Sequence, residues 1–264
     1  QYFKMKDWQL YSTTDMVNWT YRGTPISTET FQWAMQGDNA WASQAIERDG
    51  KWYWYICAND TIKKLHGIGV AVADRPEGPY SDPLKKPLVP GAFGYIDPSV
   101  FIDDDGQAYL FWGNNGLWYA KLNKDMISLG SEVIPVKELN DSTAFGPLVM
   151  KRDYQLNKRM LKTNYEEGPW VFKRNGLYYM VYAAGGVPEH MAYSTAKSIH
   201  GPWKYQGRIM NEATNSFTIH GGSIEYHNRH FMFYHNGALP NGGGFRRSTC
   251  IEEFKFGGDG KIPF

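Results

Sequence analysis

The stretch Asp105-Gly106-Gln107-Ala108-Tyr109-Leu110-Phe111-Trp112 puts an Asp-Gly turn directly ahead of an aromatic run. Asp-Gly suits hairpin turns whose central residues need positive φ, and a short apolar run bounded by such a turn reads as a buried strand. The unit recurs. Asp49-Gly50-Lys51 leads into Trp52-Tyr53-Trp54-Tyr55, and Asn175-Gly176-Leu177 into Tyr178-Tyr179-Met180-Val181-Tyr182. A degenerate fourth copy, His227-Asn228-Arg229, leads into Phe231-Met232-Phe233-Tyr234. From Gly50 to Gly106, Gly176 and Arg229 the steps are 56, 70 and 53 residues. Repeats of about 40 to 50 residues or more, built of short strands, are the pattern of four-stranded propeller blades.

A second element follows each hairpin. Val70-Ala71-Val72 runs on to Gly78-Pro79-Tyr80, and Tyr193-Ser194-Thr195 to Gly201-Pro202-Trp203. Looser copies are Tyr119-Ala120-Lys121 before Asp125-Met126, and Arg247-Ser248-Thr249. The earliest is Tyr11-Ser12-Thr13, followed by Asp15-Met16-Val17-Asn18-Trp19. Five outer elements against four hairpins predict an all-β, five-bladed β-propeller whose first blade is incomplete at the N-terminus. On this reading residues 1–264 are a single propeller domain, and the inner strand and first hairpin of blade one lie upstream of residue 1. A four-bladed propeller with a stray N-terminal strand is the alternative. A closed propeller leaves only short, protected edges, which suits strand repeats of this kind.

Composition narrows the function. Lys plus Arg is 28 against Asp plus Glu 27, a net charge of +1. That balance does not suit a protein that tracks phosphates or clings to an anionic bilayer, so neither nucleic acid nor membrane is an expected partner. Aromatic residues make up 16 % of the chain, which suits stacking on neutral rings but equally a β core. No run approaches the roughly 18 apolar residues of a spanning helix, and mean hydropathy is −0.52. Cys57 and Cys250 stand in separate apolar runs and read as buried free thiols. The chain opens at Gln1 without Met, so its start does not decide the compartment; secreted or periplasmic is favoured over cytoplasmic.

One repeat position carries chemistry. Nine residues before the four turns stand Trp41, Asp97, Glu167 and His220, followed by Ala42, Pro98, Gly168 and Gly221. A scaffold position ought to hold similar residues in every blade. This one holds an indole, two carboxyl groups and an imidazole, the mark of a site grafted onto a fold. Two carboxyl groups facing a pocket are the minimum for acid/base hydrolysis of a glycosidic bond. Glu167 lies in Tyr165-Glu166-Glu167-Gly168-Pro169-Trp170, where the flanking aromatics would desolvate it and hold it protonated as a general acid. Strand alternation turns Glu166 to the other face. Taken singly, Asp97 and Glu167 read as caps of strand ends; the shared register is what argues for chemistry.

With these residues in view, the chain resembles glycoside hydrolase family 43, the five-bladed propeller arabinofuranosidases, xylosidases and arabinanases. The similar segments are Trp8 to Trp19, Ala40-Trp41-Ala42-Ser43-Gln44, Tyr95 to Phe101 with Asp105-Gly106, Glu167-Gly168-Pro169-Trp170, His220-Gly221-Gly222 and Arg246 to Cys250. They follow in order over essentially the whole chain. The resemblance implies an inverting glycosidase, exo-acting on hemicellulose: an α-L-arabinofuranosidase or β-xylosidase on arabinoxylan or arabinan. An endo-acting arabinanase or xylanase of the same family is an alternative, as is a non-catalytic carbohydrate-binding propeller that lacks the general base. A related fructan hydrolase suits the Glu167 context poorly.

The resemblance also implies roles. Glu167 matches the general acid, and Asp97 the carboxylate that tunes and orients it. Arg247 matches an Arg that reaches the sugar, and strand alternation turns Arg246 to solvent. Trp41 is a candidate stacking wall, with plain core as the alternative. The third acid, a general-base Asp, belongs to the inner strand of blade one; it is absent from this chain, and neither Asp7 nor Asp38 takes its place. His220 matches an axial His that often contacts calcium, so a structural Ca²⁺ on the propeller axis is an option, with a buried structural His equally weighted. Ca²⁺ prefers oxygen ligands, which makes one His thin support. No cofactor is required for the chemistry. The expected partner is a hemicellulose poly- or oligosaccharide, and a carbohydrate-binding module outside this chain is a further candidate.

Other signals are set aside. Asp103-Asp104-Asp105-Gly106 fails as an EF-hand because Phe101 and Trp112 occupy its first and last ligand positions. No His-Glu-x-x-His or Cys-x-x-Cys occurs. Gly242-Gly243-Gly244 reads as a flexible loop near the pocket mouth, and the basic run from Lys151 to Met160 as a solvated insertion.

Overall fold

Three of the four turns have the backbone their residues favour. Asp49 and Gly50 (φ 53° and 78°), Asn175 and Gly176 (49° and 75°), and His227 and Asn228 (50° and 59°) are all left-handed. The flanking residues pair as Arg48↔Lys51, Arg174↔Leu177 and Tyr226↔Arg229, so each of these loops is two residues long. The Asp105-Gly106 turn differs. Only Gly106 is left-handed there (φ 81°). The Asp103 N–H donates to the Gln107 carbonyl at 2.9 Å and the Gly106 N–H to the Asp103 carbonyl at 2.8 Å, making a three-residue loop.

In the computed structural model the described residues are 3–37, 39–148, 150–152, 158–160 and 164–263. Their strands assemble into sheets of sequential neighbours. The first pairs β1 (Asp7–Ser12) with β2 (Thr20–Ser27), and the second is β3 (Gln44–Arg48), β4 (Lys51–Asn59) and β5 (His66–Ala73). The third is β6 (Ser99–Ile102), β7 (Ala108–Trp112), β8 (Trp118–Leu122) and β9 (Ile134–Pro135). A small ribbon of β10 (Met150–Arg152) and β11 (Lys158–Met160) comes next. The fourth sheet is β12 (Tyr165–Arg174), β13 (Leu177–Ala184), β14 (His190–Ala196) and β15 (Lys204–Met210). The fifth is β16 (Gly222–Tyr226), β17 (Arg229–Asn236) and β18 (Ser248–Phe254).

The hairpin runs are the second strands, β4, β7, β13 and β17, and the outer elements are the third strands, β5, β8, β14 and β18. β1 is the fifth outer element, and it pairs with β2 as β14 pairs with β15. The fold is therefore an all-β, five-bladed β-propeller, with two strands described in its first blade. The turn after an outer element also repeats. Asp15 Oδ1 accepts the Val17 and Asn18 N–H groups at 2.8 and 2.7 Å, and Asp125 Oδ1 those of Ile127 and Ser128 at 3.0 and 3.1 Å.

The chain divides into two compact units, one of residues 2–110 and 120–132, the other of 111–119 and 133–264 with residue 1. In the first, Trp8, Phe31, Trp33, Trp54 and Ile56 share a buried cluster. In the second, Phe172 of β12 stacks on Tyr179 of β13 at 5.0 Å and 4°, and Tyr179 on Tyr193 of β14 at 6.4 Å and 10°. Such aromatic pairs contribute about 0.5–1.5 kcal/mol beyond area burial. Cys57 is buried as expected, but Cys250 is only half-buried. Its strand, β18, is the last of its sheet among the described residues. The expected solvation of the basic run at 151–160 falls on side chains outside the described residues. Among the described residues no helix is long and apolar enough to cross a membrane.

Candidate active site

Glu167 stands where β12 cannot pair regularly. Pro169 has no N–H to donate and Gly168 takes a left-handed φ of 64°, so the ladder jumps from Glu167↔Ala183 to Trp170↔Val181. A bulge of this kind re-aims a side chain. Glu166, one residue earlier, is 3 % exposed, whereas Glu167 stays half-buried. Asn114, in the loop between β7 and β8, donates from Nδ2 to Glu167 Oε2 at 2.6 Å. Trp170 turns to β16 instead, donating from its indole to the Ser223 carbonyl at 2.9 Å.

His220 lies over Gly168. A Cβ placed on that glycine would stand 3.0 Å from His220 Nδ1 and Cε1, so glycine is what admits the imidazole here. Burial holds the His220 pKa below the ordinary histidine value; the Glu167 carboxylate pulls it up and the Arg247 guanidinium pushes it down. Arg247 Nη1 meets Thr218 Oγ1 at 3.0 Å and His235 Nε2 at 3.2 Å. The His235 pKa is pushed down to about 3, first by burial and then by the charges of Arg247 and His220. Both imidazoles are neutral at neutral pH. Glu189, 2 % exposed, accepts the Ile219 N–H at 2.7 Å and so pins the segment that carries His220. As alternation predicts, Arg246 is exposed and Arg247 half-buried.

Within the other unit, Asp97 is 5 % exposed and itself takes a φ of 58°. Trp41 stacks on His66 at 4.5 Å and 30°, and its indole N–H donates to the Phe3 carbonyl at 2.8 Å. His66 thus covers one face of the ring. Cys57, in β4, has its thiol pKa pushed up by burial and then by the Asp97 charge, while the backbones of Asp97 and Trp41 act the other way. Both residues therefore border Cys57.

A profile described as "Glycosyl hydrolases family 43" matches residues 1–262. The chain belongs to that family. It is 32 % identical to xylosidase/arabinosidase 43A of Humicola insolens over 289 residues, spanning 98 % of this chain and 85 % of that protein. It is 30 % identical to a xylosidase/arabinosidase of Bacteroides ovatus over 285 residues, spanning 99 % and 84 %. A solved β-xylosidase/α-arabinofuranosidase from a compost microbial metagenome, in complex with xylotriose and calcium-free, superimposes with a TM-score of 0.82 at 27 % identity, covering 98 % of this chain and 83 % of that one. This family 43 chain is a glycoside hydrolase.

Within the family 43 fold, the repeat register brings Trp41 and Asp97 together in one unit. In the other it brings Glu167 and His220 together, with Arg247 acting on His220. Among the described residues no group of three or more His, Cys, Asp or Glu side chains can hold a metal ion. Hydrolysis by a carboxyl acid and base needs no cofactor. The register did not reveal Asn114, Thr218, His235 or Glu189, which come from loops and from a second strand instead of the starts of first strands. The expected loose loop at Gly242–Gly244 is a tight turn, closed by reciprocal Gly243 and Arg246 backbone bonds at 3.0 and 2.8 Å just before Arg247. The only sequence signal for Asn114 was the Asn114-Asn115 pair directly after a strand.

Proposed function

We propose that this family 43 glycoside hydrolase inverts configuration and removes terminal β-xylosyl or α-L-arabinofuranosyl units from hemicellulose, with Glu167 as its general acid. One observation carries the reading. The Glu167 carboxyl is half-buried on a bulge that Gly168 and Pro169 impose, held by the Asn114 amide and bordered by His220. A carboxyl so placed is partly desolvated yet reachable, which suits proton donation to a leaving oxygen. Xylosidases and arabinosidases among the relatives, and xylotriose in a structural neighbour, support the sugar class.

Asp97 is proposed as the carboxylate that tunes the acid, Arg247 as a sugar contact and Trp41 as a stacking surface. Arg247 is suited to its role because Thr218 and His235 orient the guanidinium while His235 adds no charge. No residue of 1–264 is assigned as general base. A hemicellulose chain is the proposed partner, and a separate carbohydrate-binding module a further one. The test is hydrolysis of nitrophenyl β-xyloside, nitrophenyl α-arabinofuranoside, arabinoxylan and arabinan by the encoded protein, with the product anomer followed by NMR. Release of single sugars with inverted configuration, lost in Glu167→Gln, is expected. Cleavage of none of these substrates, or a retained configuration, would overturn the reading.

A further inference from the structure

We propose that Asn114 and Asn115 form a positioning device that decides which oxygen of the Glu167 carboxyl carries its proton; this rests on Glu167 being the general acid. Asn114 Nδ2 donates to Glu167 Oε2 at 2.6 Å. In a neutral carboxyl group the oxygen that accepts such a bond is the carbonyl oxygen, so the transferable proton sits on Oε1.

An Asn amide can turn over with little change of shape, and a turned Asn114 would offer Glu167 an acceptor. Asn115 prevents this. Its Nδ2 donates to Asn114 Oδ1 at 2.7 Å, a bond that only the donor-forward orientation accepts. The loop is itself clamped to β12. The Asn115 N–H donates to the Glu166 carbonyl at 2.7 Å, and the buried Tyr165 hydroxyl to the Gly113 carbonyl at 2.7 Å. Gly113 has a φ of 140°, and a Cβ there would clash with the Gly116 carbonyl oxygen, so the loop keeps its path only with glycine. The chain of contacts runs from a clamped backbone, through two amides, to one carboxyl oxygen.

An amide donor stabilises a carboxylate more than the neutral acid, so its removal raises the Glu167 pKa. Among the described residues, the charged or titratable groups placed beside it are His220 on the segment before β16, Arg247 before β18, which acts on His220, and Glu166 on β12 itself, and Asp97 joins them in the tuning role proposed above. The experiment measures kcat/KM against pH for Asn114→Ala, Asn114→Ser, Asn115→Ala and Glu167→Gln in the encoded protein. It uses an alkyl β-xyloside and its nitrophenyl counterpart, with melting curves to confirm folding.

In Asn114→Ala the alkaline limb should move up by about half to one pH unit. Its kcat on the alkyl glycoside should fall about tenfold with KM little changed, and the nitrophenyl rate should be nearly spared. Asn114→Ser, which keeps a donor, should recover part of both effects, and Asn115→Ala should show a smaller shift of the same sign. If Glu167→Gln removes the alkaline limb while both Asn114 variants keep the wild-type limb and alkyl-to-nitrophenyl ratio, the positioning role is overturned and the acid stands. If Glu167→Gln leaves the limb in place, the acid assignment itself fails, and the positioning role with it.

Discussion

Asp97 and Glu167 occupy the same repeat position, each just before or within a first strand, yet the backbone turns differently at the two. At Asp97 the acid itself takes the left-handed conformation (φ 58°) ahead of Pro98, and it is 5 % exposed. At Glu167 the next residue, Gly168, takes that conformation (φ 64°), and the carboxyl stays half-buried on a bulge. Left-handed backbone costs a non-glycine residue about 1–2 kcal/mol, least for Asp and Asn, and such strain collects where function holds a residue in place. The difference suits different tasks. A carboxyl that delivers a proton has to remain reachable, whereas one that acts through its charge works best when buried and locked.

The comparison can be broken at either end. The largest effect belongs to Glu167→Gln, expected to lower kcat on alkyl or oligosaccharide substrates by roughly 10²–10⁴-fold and to cost far less on nitrophenyl glycosides. Equal losses on both substrates, measured under steady-state conditions, would remove Glu167 from the acid role. Asp97→Asn comes next. In the role proposed for it, the loss of its charge should lower kcat/KM by about tenfold and move the alkaline limb down. The Asn114→Ala limb moves the opposite way, so the two shifts together form a sign test. Melting temperature should hold in Asp97→Asn, since Asn tolerates left-handed backbone.

Gly168→Ala probes the strained residue on the other side. Left-handed backbone and a Cβ 3.0 Å from the His220 ring together predict a loss of about 2–3 kcal/mol in denaturant titration. A silent Gly168→Ala would mean that His220 moves aside freely. The smallest effect separates the surroundings by pH. His235 resists protonation down to about 3 when folded but takes up a proton near its ordinary value when unfolded. Its contribution to stability is therefore intact above that ordinary value, about 6.5, and is lost as pH falls from there towards the folded value. Thermal melts of His235→Gln should show a shallower acid-side decline, by at most about 1.4 kcal/mol per pH unit.

Much of the fold is legible in local chemistry. Asp49-Gly50, Asn175-Gly176 and His227-Asn228 each select a two-residue turn, and the aromatic runs beside them have to be strands. Asp105-Gly106 carries the same signal but forms a three-residue loop, because Asp103 closes the hairpin one residue earlier on its own side. Half of the site is legible in the same way. Asp97, Glu167, Trp41 and His220 stand out because a repeat position filled by unlike residues has no packing reason to vary.

The remainder comes from contacts between segments far apart in the chain. Asn114 reaches Glu167 across 53 positions, and Arg247 reaches Thr218 across 29. Neither spacing follows a strand or helix period, so no pattern in the chain announces it. By itself the sequence determined the five-bladed β architecture and the register that places the two carboxyl groups at equivalent points. That follows because turn preference and alternation act over a few residues. Only the tertiary structure decided which carboxyl stays half-buried, which amide holds it and which imidazoles stay neutral, because burial and hydrogen-bond direction depend on what the fold packs against each group.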